Sequence, residues 1–160
     1  MGFSSTFIGI VCIILFFVPI YLLSRSGARK LKQRLSALLA FSEKNGLRLS
    51  AKEAWNDCAI GIDEASKQVA YVKNTEVDHQ EVLIDLKDIA RCNINNVSRE
   101  VKTSTGTQRI IEQIELQFFY KKAEIMPVSL QFYDGKKQMQ LSGELQVAEK
   151  WVALVKQALS

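Results

Sequence analysis

A single histidine, His79, leaves this chain of 160 residues little with which to build a metal centre or an imidazole relay. It stands in the charged stretch 75–81 beside Asp78 and Glu81, and a metal ordinarily takes more donors. A solvated loop histidine is the plainer reading. Three cysteines, Cys12, Cys58 and Cys92, show no C-x-x-C spacing and have no base in their local sequence to activate a thiolate. The phosphate and dinucleotide loops G-x-x-x-x-G-K-[ST] and G-x-G-x-x-G are missing, and so is the nucleophile elbow G-x-S-x-G. No catalytic residue, metal or cofactor is therefore expected. An enzyme with an unrecognised site stays open only if His79, Asp78 and Glu81 line a deep pocket.

Charge is missing from one place above all. The first 24 residues carry none, whereas residues 25–34 carry five basic side chains and no acidic one. Residues 3–23 read FSSTFIGIVCIILFFVPIYLL. At about 1.5 Å per residue they span roughly 31 Å, the hydrocarbon thickness of a bilayer. Phe3, Phe7, Ile8, Ile10, Val11, Ile13, Ile14, Leu15, Phe16, Phe17, Val18, Ile20, Leu22 and Leu23 supply the apolar surface of the expected span. Pro19 is tolerable as a kink near one end, and Tyr21 suits the interfacial aromatic belt. A cleaved signal peptide would place positive charge ahead of the apolar run and a small-residue site after it, and neither is present. Met1 to Thr6 also fits an N-myristoylation pattern, to which a spanning helix leaves little purpose.

Arg25, Arg29, Lys30, Lys32 and Arg34 keep the C-terminal side in the cytoplasm by the positive-inside rule. The expected location is the inner membrane, crossed once, with the N-terminus outside and residues 25–160 inside. These five cations exceed the whole net charge of +4, because residues 35–160 hold 16 Lys and Arg against 17 Asp and Glu. The folded part is thus nearly neutral, which argues against nucleic acid as a partner. The basic stretch either sets topology alone or also attracts anionic headgroups of the inner leaflet. In a reducing cytoplasm Cys58 and Cys92 are buried thiols.

Residues 28–44 read as a helix, with Leu31, Leu35, Leu38, Leu39 and Ser42 at helical spacing and Asn45-Gly46 as its stop. It serves as a connector or packs on the domain that follows. The period then changes to two. Strands are expected at 59–63, 68–73, 82–86, from 89 toward 101, around 110–118, at 128–133, and at 138–141 after an Asp134-Gly135 turn. Leu145, Ala148, Trp151, Val152, Val155 and Leu159 recur every three or four residues, the stripe of an amphipathic helix with Trp151 as its core anchor.

About seven short strands followed by such a helix resemble the pleckstrin-homology-like (PH-like) superfold of small bacterial membrane-anchored domains. The resemblance rests on AIGIDEASKQVAYV at 59–72, VLIDLKDIARCNI at 82–94 and the helix around Trp151. It implies a half-open barrel capped by the C-terminal helix. The expected fold class is accordingly an N-terminal transmembrane helix plus a mainly-β domain of that type. Its divisions are 1–24 as anchor, 25–50 as basic segment and connector helix, and 51–160 as the barrel domain. Phosphoinositide-gripping relatives carry a basic cluster in the loop that here reads Asp63-Glu64-Ala65-Ser66-Lys67, two acids and one lysine. The remaining implication is a module that engages a protein or peptide partner beside the bilayer. Anionic lipid is the alternative ligand, with Lys121-Lys122 and Lys136-Lys137 as loop cations.

Overall fold

A computed structural model describes residues 27–75, 78–103, 106–138 and 141–160. Helix α1 covers residues 27–44, and its last turn closes by backbone geometry. Leu47 N donates to Ser42 O at 2.9 Å and Gly46 N to Glu43 O at 3.0 Å, with Gly46 at φ +71°. Only a residue that tolerates a left-handed conformation ends a helix in this way, as the Asn45-Gly46 pair predicts.

Seven strands follow, β1 (Ala51–Trp55), β2 (Cys58–Asp63), β3 (Gln68–Asn74), β4 (His79–Asp85), β5 (Ile89–Thr103), β6 (Gly106–Tyr120) and β7 (Val128–Asp134). A 3-10 turn (Leu86–Asp88) links β4 to β5, and helix α2 (Glu144–Leu159) comes last. All pairings are antiparallel, in two sheets of order β1-β2-β3-β4 and β5-β6-β7.

This corrects the expected fold class of a transmembrane helix followed by one PH-like barrel of about seven strands under a single helix. The described residues hold two helices, and the strands divide into separate sheets of four and three. The sheets are joined by side chains instead of by a ladder. Trp55 Nε1 donates to Phe132 O at 3.0 Å and Tyr71 hydroxyl donates to Gln131 O at 2.6 Å, so β7 carbonyls facing the first sheet are taken. No described helix is long and apolar enough to cross a membrane. The expected span, from Phe3 to Leu23, lies outside the described residues, as does Arg25.

Strand periodicity explains why the first sheet is covered on both sides. Cys58, Ile60, Ile62, Val69 and Tyr71 face the second sheet and α2, in a core shared with Cys92, Leu116, Phe118, Phe132 and Trp151. Ala59, Ala70 and Val72 point the other way and meet Leu38 and Leu47 in a second cluster. Small residues on that face let α1 lie close. A Cβ on Gly61 would come within 2.6 Å of Leu49 Cδ1, so glycine here makes room for the chain between α1 and β1. Of the two roles expected for this helix, connector or packing element, the structure shows the second: it forms a layer of the domain.

The strand set departs from expectation in two further places. Residues 51–55 form β1, and neither Gln138 nor Leu141 lies in a strand, residues 139 and 140 being outside the described set. After β7 the chain makes a turn, with Lys137 N and Gln138 N both donating to Asp134 O at 3.0 Å, and leaves the sheet.

Candidate functional site

Strands β5 and β6 are each 15 residues long, but β7 has only seven. The β5–β6 ladder continues to Thr103 opposite Gly106, whereas β7 pairs with β6 only between Gln113 and Phe118. Six further residues at about 3.3 Å each carry the two-stranded ribbon roughly 20 Å past its third strand. Among the described residues, Thr107 to Ile111 of β6 consequently have no strand partner on the side where β7 ends.

Gly135 governs how that end is built. Its amide donates to Glu112 O at 2.8 Å, the last backbone bond between the β7 side and β6. A Cβ there would stand 3.1 Å from the same carbonyl oxygen, so the turn comes this near because residue 135 has no side chain. Beyond it the chain diverges from β6 and opens a cleft of about 640 Å³. Val97, Arg99 and Ile110 line it from the ribbon, and Tyr133, Lys136 and Gln138 from the end of β7 and its turn. Val97 and Ile110 are about 40 % exposed and give the cleft its apolar lining on the ribbon side. Arg99 Nε lies 2.8 Å from Glu112 Oε1, which places a matched charge pair at the rim. A β-bulge between Val97 and Ser98 bends the ribbon at the same level.

Gln131, which lines the cleft, also borders a smaller depression with Cys58 and Lys73. Cys58 Sγ stands 3.1 Å from the Tyr71 hydroxyl, and Lys73 Nζ donates to Gln131 Oε1. Burial raises the Cys58 thiol and the Tyr71 hydroxyl above their ordinary values, and pushes Cys92 up to about 12. Both thiols are thus protonated at neutral pH, poor nucleophiles and poor metal ligands. His79 is exposed on β4 with its Nε2 3.2 Å from Glu81 Oε1, and neither residue lines the cleft. Among the described residues no group of three or more His, Cys, Asp or Glu side chains is placed to hold a metal ion.

Compared with protein-family models, curated proteins and solved structures, the chain matches none of them.

The basic residues do not act as one set. Arg29, Lys30 and Lys32 are exposed on the first turns of α1, while Arg34 turns inward to Asp57 at 2.9 Å with its side chain only 16 % exposed. Arg34 thereby pins α1 to the β1–β2 turn. Trp151 is buried at 1 % exposure, and its indole donates to Glu53 Oε2 at 3.0 Å, binding α2 to β1. Of the loop lysines, Lys136 lines the cleft, and Lys121 Nζ is occupied by Lys87 O at 2.6 Å. Sequence reasoning passed over Val97, Ile110 and Gly135. The signal available was length, since the strands expected from 89 toward 101 and around 110–118 are each longer than the one expected at 128–133.

Proposed function

We propose that this protein is a membrane-anchored binding module, held at the inner leaflet by residues 1–24, whose cleft beside β6 takes an extended segment of a protein partner. The observation that carries this reading is the unpaired edge of β6 from Thr107 to Ile111, bordered by the 640 Å³ cleft. A peptide laid there continues the line of β7. It gains main-chain hydrogen bonds along its length, and Val97 and Ile110 supply apolar contact for alternate side chains. The Arg99–Glu112 pair and Lys136 bias the choice by charge. The anchor supplies the rest by concentrating the domain near membrane-associated partners.

A photo-reactive phenylalanine analogue placed at Ile110 tests this in cells. It should give a protein adduct of discrete mass that the same group at Ile125, exposed in the β6–β7 loop, does not give. Equal labelling from both positions, or adducts to lipid alone from Ile110, refutes the cleft as the docking site. The exposed Arg29, Lys30 and Lys32 support a second reading, attraction to anionic headgroups. Vesicle binding that disappears when these three are changed to Gln assigns the lipid contact to α1 and leaves the cleft to protein.

A further inference from the structure

The ribbon has a second open edge, and its charge order specifies what fits there. β5 is the outer strand of its sheet, so from Ser98 to Lys102 its far side has no strand partner among the described residues. A two-stranded ribbon projecting into water is marginally stable by itself, and a further strand on its edge relieves this. Within the ribbon most charges are already engaged. Arg99 pairs with Glu112, and Arg109, although opposite Glu100 in the ladder, donates from Nε to Ser98 Oγ at 2.6 Å. Glu100 and Lys102 have no ion-pair partner among the described residues. Both are exposed, and they flank Val101 two residues apart on one face of β5.

We propose that this edge of β5 pairs antiparallel with the same edge of a second copy, about a two-fold axis through Val101. Such an axis runs perpendicular to the sheet and preserves its faces. Because side chains alternate, the register must be centred on a residue. Of the five centres from Ser98 to Lys102, those on Arg99, Glu100 and Lys102 each set a charge against its own copy, and the one on Ser98 sets Glu100 and Lys102 opposite the uncharged Asn96 and Ile94. Only the Val101 register matches opposite charges. It sets Glu100 opposite the second copy's Lys102, and Lys102 opposite the second copy's Glu100. The two Val101 side chains then meet on the other face. The two ribbons become one four-stranded sheet, and the β6 edge of each copy stays open. The inference is independent of what occupies the cleft.

Residues paired across an antiparallel ladder have Cα atoms about 4.5–5.5 Å apart, within the reach of a disulfide. Val101→Cys in the full-length chain therefore tests the axis directly, on a Cys12→Ser background with Cys58 and Cys92 buried. Mild oxidation in the cell fraction where the protein resides should yield a disulfide-linked dimer from Val101→Cys and none from Thr107→Cys on β6. Adding Glu100→Lys or Lys102→Glu should each cut the cross-linked yield about tenfold, since each places like charges opposite at two symmetric positions. The double exchange should restore it. No cross-link from Val101→Cys, or a cross-link indifferent to these charges, overturns the proposal.

Discussion

Asp63 sits where β2 turns into β3, and its two oxygens take three backbone amides. Arg48 N donates to Oδ2 at 2.9 Å, and Ala65 N and Ser66 N donate to Oδ1 at 3.0 and 3.1 Å. These amides, led by that of Arg48, hold the carboxyl below its ordinary value in the fold. The unfolded chain, at about 3.9, takes the proton more readily. The stability Asp63 contributes is therefore present above that value and is lost as pH falls through the lowered folded one. Asp63→Ala should reduce the thermal midpoint at pH 7 by about 5 °C and flatten its decline in acid. An acid limb identical to that of the unaltered protein contradicts this. The thiols make a second prediction at the same scale. With Cys92 at about 12 and Cys58 raised, native protein at pH 8 should leave both unmodified by iodoacetamide, as mass spectrometry of digests reads directly. Unfolding in denaturant should expose both to rapid alkylation.

At the scale of elements, α1 and β7 are held by different physics. Leu38 is fully buried between α1 and the outer face of the first sheet, so Leu38→Ala should destabilise the protein by about 2–4 kcal/mol in denaturant unfolding. A helix acting only as a connector would show almost no change. Arg34→Ala, which breaks a partly exposed ion pair, should lose less than about 1 kcal/mol. Trp55→Phe keeps a ring beside Phe132, with which Trp55 stacks at 4.4 Å, but removes the donor to Phe132 O. Leaving that carbonyl unpaired should remove about 1–2 kcal/mol, and a neutral result would mean water replaces the indole.

The same elements show how far sequence reasoning reached. Alternation made β2, β3, β7 and the apolar half of β4 legible, because each buries at least one face, whereas His79 to Glu81, expected as loop, open β4 as exposed strand residues. The stop of α1 followed from Asn45-Gly46, and the stripe of α2 from its spacing. β1 was not legible, since AKEAW has one buried residue, Trp55, and gains its place only by pairing with β2. The strand expected at 138–141 came from Asp134-Gly135, which turns the chain out of the sheet instead of back along β7. The division into two sheets was invisible for a different reason. It depends on Trp55 and Tyr71 reaching carbonyls of residues 131 and 132, contacts between positions 60 or more apart. The cleft was hidden for that reason too, since it exists where one strand outruns another.

For the whole molecule, the end at which α1 is pinned is also the end where β7 stops. Asp57, which holds Arg34, lines a small depression together with Thr75, Asp134 and Lys137. Upstream of Arg34 the exposed turns of α1 carry Arg29, Lys30 and Lys32, and before them comes the uncharged stretch. The proposed anchor in residues 1–24 precedes these turns in the chain. That proposal stands on which side of the membrane the domain occupies. The most direct measurement is protease digestion of spheroplasts expressing the full-length protein with a C-terminal epitope. The account predicts that residues 25–160 stay intact until the membrane is opened and are then cleaved. Digestion of the domain from outside intact spheroplasts, or its release by a carbonate wash, would contradict it.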